Sequence, residues 1–174
     1  LLLTPKDKHE LAVFMQSMTN RYVRYFNASR KRTGTIWEGR FKSCLIDSDS
    51  YLFRLYNYIE MNPVKAEMVK EIHEYTWSSY HHNALGEVDQ LVIEHPLYLK
   101  LGATKEERAI SYKLMMYKMA LGKENQKITD ATLRGEVLGN ENFHHWVCKQ
   151  TGRPATLTSH GGDRKSAKYQ NQVG

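Results

Sequence analysis

A segment whose apolar residues recur at helical spacing before a proline constrains the fold of this chain most. It is YLFRLYNYIEMNPVK, residues 51–65. Its residues at i, i+3, i+4 and i+7, the spacing of a buried helical stripe, are Leu52, Leu55, Tyr56 and Ile59. Acidic and hydroxyl side chains at 47–49 suit a helix N-cap, and Pro63 opposes a regular helix interior. We therefore predict a helix that begins near 47–49, ends near Asn62 and buries Tyr56 in the core.

A second tyrosine of this helix, Tyr58, is predicted to lie beside the buried stripe. At roughly 100° per residue it lies about 110° from the centre of the stripe, on a flank shared with Tyr51, Arg54 and Asn62. A tyrosine there reaches a substrate, Arg54 one turn earlier suits a phosphate, and the Asn62 oxygen one turn later suits a hard cation. The spacing predicts a nucleophile, an anion clamp and a metal ligand in one row. A surface tyrosine beside an ordinary Asn-Pro helix end has the same spacing, so the row alone leaves both interpretations open.

Three sequence words support the first interpretation: WEGRFKS (37–43), DSYLFRLYNYIEMNPVKAEMV (49–69) and WSSY (77–80). In this order and at these separations they resemble the REP-associated tyrosine transposases, a branch of the single-tyrosine HUH nucleases that cut and rejoin single-stranded DNA. Two later words, HPLYLKLGATKEERAISY (95–112) and LGNENF (138–143), are similar to the C-terminal extension of longer family members. The resemblance implies a metal-dependent endonuclease and strand transferase for hairpin-bearing DNA, acting in DNA transposition.

The resemblance also implies roles for single residues. In that family the YIxxNP helix carries the nucleophile, so Tyr58 is implied to attack the DNA phosphate and form a 5′-phosphotyrosine intermediate. Asn62 is implied to be the third ligand of Mg²⁺ or Mn²⁺. The other two ligands, a His-x-His pair on a strand, have no match in the sequence. Because the chain opens with three leucines and Thr4-Pro5, similar to the end of that strand, we expect a truncated N-terminus and no activity without the upstream pair.

The N-terminal part of the chain is predicted to form a helix from about Lys8 to Ala28. Its apolar residues at helical spacing, predicted as core, are Leu11, Phe14, Met15, Met18, Tyr22 and Phe26. Thr35–Ile46 is rich in β-formers and predicts a strand, with Trp37 and Phe41 facing the core.

Basic side chains in these segments are predicted to bind the DNA backbone. The residues concerned are Arg21, Arg24, Arg30, Lys31, Arg32, Arg40, Lys42 and Arg54. Arg40 and Lys42 belong to the opposite face of the predicted strand from Trp37. A solvated helix face with a basic C-terminal cap is an equally good interpretation of Arg21.

The predicted fold class is α+β, with a partial ferredoxin-like HUH domain in residues 1–80. A linker (81–94), an all-helical C-terminal extension (95–152) and a disordered basic tail (153–174) follow. In the extension, Thr104 is predicted to cap a helix that runs to about Leu121, and shorter helices are predicted near 128–134 and 141–150. The apolar residues on one face of the longer helix are Ile110, Leu114, Tyr117 and Leu121.

Composition agrees with an intracellular protein that binds nucleic acid. The net charge of +6 and pI near 9.2 favour polyanions, two cysteines are too few for a disulfide framework, and no apolar run is long enough to span a membrane. We expect a cytoplasmic, nucleoid-associated protein that binds single-stranded or hairpin DNA and no membrane, with a homodimer left open. A non-catalytic DNA-hairpin-binding regulator and an RNA-binding module are the alternative functions.

Overall fold

The computed structural model describes residues 1–7, 9–119 and 125–156 of a chain that forms two compact units. The first unit spans Leu1–Lys42 and contains helix α1 (Glu10–Arg30). The second begins at Ser43 and contains β1 (Leu45–Ile46), α2 (Ser48–Lys65), a 3₁₀ turn (Ile72–Glu74), α3 (Tyr80–Leu85), α4 (Pro96–Leu99), α5 (Lys105–Met119), α6 (Asn125–Arg134), β2 (Val137–Leu138) and α7 (Glu141–Thr151). The structure is mixed, mostly helical with a small two-stranded parallel sheet, which agrees with the coarse α+β expectation.

Helix α1 confirms the predicted N-terminal helix but not its predicted core. Helix α1 ends at Arg30, and the next residue, Lys31, has a left-handed backbone and donates its N–H to the Asn27 carbonyl. None of its residues is buried, and Phe14 and Tyr22 are 45% and 48% exposed. The prediction was wrong because a helical stripe is buried only where another element covers it. The described part of the first unit contains no second helix or strand.

The predicted strand at Thr35–Ile46 is confirmed only at its last two residues. These form β1, which pairs in parallel with β2, Leu45 opposite Val137 and Ile46 opposite Leu138. Among the described residues no strand pairs with 35–42, and an unpaired strand does not satisfy its backbone groups. Trp37 is accordingly 43% exposed rather than core, and its ring lies 5.9 Å from that of Tyr22.

Helix α2 forms as predicted from its apolar period, with Leu52 and Leu55 buried and Asp47 as the N-cap. It does not end at Asn62 but continues through Pro63 to Lys65. Pro63 lies in the last turn, where its missing N–H removes a single helical bond. The end is closed beyond it by the amide of Met68, which donates to the Pro63 carbonyl at 3.0 Å.

One cluster of the second unit's core comes from α3, α4 and α5 and contains three tyrosines. It is formed by Tyr80, Ala84, Tyr98, Tyr112 and Met116, and the predicted core residue Tyr56 packs against it while half-buried. The predicted apolar face of α5 is wrong: Ile110 and Leu114 are exposed, Tyr117 is 80% exposed, and Leu121 lies outside the described residues. The neighbouring face is buried instead, with Tyr112 at 0% exposure, because its hydroxyl finds an acceptor inside the unit.

The packing joins segments that the sequence assigned to different domains. Residues 43–80 belong to the same compact unit as residues 95–156. Helix α3 begins at Tyr80 and otherwise lies within the predicted linker. The extension is not all-helical, since it supplies β2 to the sheet. The predicted basic tail lies outside the described residues from 157 onward.

Candidate functional site

Tyr58 lies half-buried on α2, and two neighbouring side chains hold it. Its hydroxyl lies 3.0 Å from the Thr129 Oγ1 of α6, and either oxygen can be the donor. The Nζ of Lys65 lies 5.2 Å from the centre of its ring, within the range of a cation–π contact. Partial burial lowers the pKa of Lys65. Lys65, at the end of α2, therefore contacts the face of the Tyr58 ring, and Thr129 of α6 contacts its hydroxyl.

Arg54 and Asn62 flank Tyr58 on the same side of α2, one turn to either side, and both are exposed. The guanidinium carbon of Arg54 lies 5.7 Å from the centre of the ring of Tyr51, one turn earlier in the predicted row. This arrangement leaves a cation and an amide at the surface on either side of the tyrosine. It is a geometry that can receive a phosphate of an extended strand.

The rotation of α2 about its axis is set by Glu60, which belongs to a different face of the helix from Tyr58. Glu60 is 1% exposed, and its carboxylate accepts bonds from Ser79 (2.6 Å), Asn83 (2.9 Å) and Tyr112 (2.8 Å). Burial raises the pKa of Glu60, and the three hydrogen bonds oppose that rise. These bonds tie α2 to α3 and α5, so the Tyr58 flank faces α6.

Helix α6 is fixed against the rest of the second unit on both sides of Thr129. Its neighbour Ile128 is 2% exposed, and Ala131 is buried as well. One turn later, the Thr132 hydroxyl lies 3.3 Å from the Cys44 sulfur, just before β1. The strand that follows α6 is β2, and its pairing with β1 holds the C-terminal end of α6 in place.

The starts of α2 and α7 are linked by a polar network. The Asn140 side chain caps α7 by accepting from the Phe143 amide at 2.9 Å and donates to the Asp47 carboxylate at 3.1 Å. Asp47, buried at the start of α2, also accepts from the Ser50 hydroxyl at 2.7 Å. One asparagine thus couples two helix N-termini, which stabilises the segment that leads to Tyr58.

The described residues do not by themselves form a metal site around Asn62. No group of three or more His, Cys, Asp or Glu side chains that could hold a metal occurs within the part of the chain that the structure describes. A single exposed amide oxygen provides one weak ligand, whereas Mg²⁺ and Mn²⁺ require several. The Asn62 prediction therefore depends on ligands that the described residues lack.

The predicted DNA-binding residues are divided between the two units. Arg21, Arg24, Arg30, Lys31, Arg32, Arg40 and Lys42 are all exposed in the first unit, and Arg54 alone belongs to the second. Arg32 is engaged within its own unit, its guanidinium carbon 5.7 Å from the centre of the Phe26 ring. The others present an exposed basic surface along and after α1.

Two residues of the site, Lys65 and Thr129, were missed by sequence reasoning. Lys65 is seven positions after Tyr58, two helical turns, and that spacing could have found it had the helix been expected to continue past Pro63. Thr129 is 71 positions away, and no periodic pattern signals such a contact.

Comparisons with known proteins found no relative of this chain. No family model matches the chain, and neither the curated proteins nor the solved structures contain a significant match. In the described part of the chain, no helix has both the length and the apolar composition needed to cross a membrane.

Proposed function

We propose that this protein is a single-strand DNA endonuclease and strand transferase whose nucleophile is Tyr58. The observation that carries the proposal is the placement of the Tyr58 hydroxyl on a rigid helix, flanked by Arg54 and Asn62 and held by Thr129. The resemblance of the three sequence words to tyrosine transposases supports the same residue. The exposed basic residues of the first unit suit a polyanionic substrate such as hairpin-bearing DNA.

The proposed reaction exchanges one phosphate ester for another. The Tyr58 oxygen forms a bond to the scissile phosphorus, and the bond from phosphorus to the 3′ oxygen breaks. The tyrosine proton leaves to solvent and the departing 3′ oxygen takes up a proton, so the products are a 5′-phosphotyrosine and a free 3′ hydroxyl. Attack by another 3′ hydroxyl reverses these steps and rejoins DNA, so no external energy source is required. Arg54 would bind the phosphate whose charge develops in the transition state.

The proposal retains Mg²⁺ or Mn²⁺ as the cofactor, on the strength of the resemblance. A bound divalent ion supplies Lewis-acid polarisation of a phosphate oxygen. Asn62 would be one ligand, and the resemblance implies a His-x-His pair as the other two. Residues of this chain would orient the tyrosine and bind the phosphate.

The direct test is whether Tyr58 becomes covalently linked to DNA. We expect the longest form of the protein that its gene encodes, incubated with hairpin-bearing single-stranded DNA and Mn²⁺, to give an adduct that survives a denaturing gel. Tyr58→Phe should abolish the adduct and leave DNA affinity nearly unchanged, because it removes only the attacking oxygen. Tyr56→Phe is the matched control and should retain the adduct, since Tyr56 packs against Phe53 and Tyr112 in the core.

Other outcomes separate the alternative functions. An unchanged adduct in Tyr58→Phe would exclude Tyr58 as the nucleophile. Binding of hairpin DNA without any adduct would favour the non-catalytic regulator. A preference for RNA of the same sequence would favour the RNA-binding module.

A further inference from the structure

We propose that Thr129 is a positioning residue that holds the Tyr58 hydroxyl for its attack on DNA, an inference that rests on the proposed function. The Thr129 Oγ1 lies 3.0 Å from the Tyr58 hydroxyl, a fully formed hydrogen bond between two different helices. All predicted site residues lie between residues 21 and 62. This contact instead makes α6, from the predicted C-terminal extension, part of the nucleophile's surroundings.

Geometry favours this role, because the contact joins two elements that are independently anchored. Helix α2 is tied down through Glu60, and α6 through the buried side chains of Ile128 and Ala131. A tyrosine side chain turns about two bonds, and the contacts with Lys65 and Thr129 restrict both. The oxygen is thus held in place before DNA binds, which reduces the entropic cost of reaching the attacking geometry.

Chemistry favours this role as well, because a threonine hydroxyl both donates and accepts hydrogen bonds. As Tyr58 gives up its proton, the oxygen gains negative charge and the Thr129 hydroxyl can donate to it. A hydrogen bond to an ionised oxygen is stronger than one between neutral groups. The same donor would stabilise the tyrosine oxygen when it leaves phosphorus during rejoining. Thr129 should therefore act on cutting and on rejoining alike.

The experiment compares two substitutions of Thr129 with one matched substitution elsewhere on α6. Thr129→Val keeps the shape and removes the hydroxyl, whereas Thr129→Ser keeps the hydroxyl. Thr132→Val is the control, since its hydroxyl contacts the Ile128 carbonyl and Cys44 rather than Tyr58. Each variant is measured for the rate of adduct formation with hairpin-bearing single-stranded DNA in Mn²⁺, for DNA affinity and for its thermal unfolding midpoint.

We expect Thr129→Val to form the adduct about tenfold more slowly, the loss typical of one hydrogen bond to a charged oxygen. Its DNA affinity should stay within about twofold, since the bond is made inside the protein. Thr129→Ser and Thr132→Val should keep rates near that of the wild type. If Thr129→Val unfolds, Thr129→Ala serves in its place, with Thr132→Ala as its control.

Two results would overturn the inference, and they differ from each other. A rate in Thr129→Val equal to or above that of the wild type, with the adduct still lost in Tyr58→Phe, would contradict positioning and leave the proposed function intact. A faster rate would show that the contact restrains Tyr58 instead. The absence of any adduct in the wild type would overturn the proposed function together with this inference.

Discussion

Helices α1 and α2 carry apolar stripes of the same period, yet only α2 buries its stripe. Helix α2 packs against α5, α6 and the 3₁₀ turn and buries Leu52, Leu55 and even the polar Asn57 and Glu60. Helix α1 is longer and buries none of its residues. Its unit has no other helix or strand among the described residues. A stripe therefore gives a helix an apolar face, but a covering element decides whether that face becomes core.

The same distinction separates two faces of α5. The face with Ile110 and Leu114 is the more aliphatic one, yet it is exposed. The face with Tyr112 and Met116 is buried because it meets α2 and α3, where the Tyr112 hydroxyl donates to Glu60. A tyrosine can occupy the centre of a core when its hydroxyl has a partner there.

The largest expected effect comes from removing one tyrosine from each unit. Tyr112→Ala should destabilise the protein by roughly 3–5 kcal/mol, because it leaves a cavity and takes a donor from Glu60. Tyr22→Ala, in α1, should cost about 1 kcal/mol or less, because Tyr22 is 48% exposed. Urea unfolding followed by circular dichroism measures both. Equal losses would show that α1 is covered in solution and would remove the contrast between the units.

Sequence reasoning succeeded where local periodicity carries the information. The period of apolar residues predicted α1 and α2, and Asp47 correctly marked the start of α2. It also placed Tyr58 on the flank of the buried stripe rather than within it, and the structure has Tyr58 half-buried beside Arg54 and Asn62. These properties depend on residues within a few turns of one another.

Sequence reasoning failed where distant residues decide the outcome. The donors to Glu60 lie 19, 23 and 52 positions away, so nothing near this glutamate shows that it can be buried. The partner of Tyr58 lies 71 positions away, and β1 is a strand only because β2 pairs with it. The missing partner of residues 35–42 likewise could not be read from their β-forming composition.

A second prediction contrasts the charges of the two units. Replacing Arg30, Lys31 and Arg32 together by Ala should lower the slope of log affinity against log salt by up to about 2, at roughly 0.7 per phosphate contact on single strands. All three are exposed in the first unit. Fluorescence anisotropy with labelled single-stranded DNA at several salt concentrations gives the slope.

The matched control removes three exposed lysines from the second unit, Lys113, Lys118 and Lys149. This triple variant carries the same change in net charge, so its slope should stay close to that of the wild type if the first unit provides the phosphate contacts. Equal decreases in the two triple variants would mean that DNA responds to total charge and that Arg30–Arg32 form no dedicated track.

The smallest expected effect concerns Glu60 and the pH dependence of the free energy of unfolding. Burial raises the pKa of Glu60 in the folded protein above its ordinary value of 4.5. At a pH between 4.5 and this raised pKa, the folded protein holds a proton that the unfolded chain has released. The free energy of unfolding contributed by Glu60 is therefore greatest below 4.5, falls as pH rises through the folded pKa, and stays low above it. The Glu60→Gln variant lacks this pH-dependent fall in the free energy of unfolding. The stability of the variant relative to the wild type should therefore increase with pH.

Glu106 provides the opposite case on α5. It is exposed, and hydrogen bonds, first to its own backbone amide and then to Thr104, lower its pKa, so its contribution is present above 4.5 and disappears as pH falls. Glu106→Gln should therefore lose stability relative to the wild type as pH rises, by less than Glu60→Gln gains, because solvent screens an exposed carboxylate. Urea unfolding midpoints of the wild type, Glu60→Gln and Glu106→Gln, measured from below pH 4.5 upward, show how the stability of each variant changes with pH relative to the wild type. A Glu60→Gln curve parallel to that of the wild type would mean that Glu60 is not buried as a titrating group, and the anchoring of α2 that orients Tyr58 toward Thr129 would need another explanation.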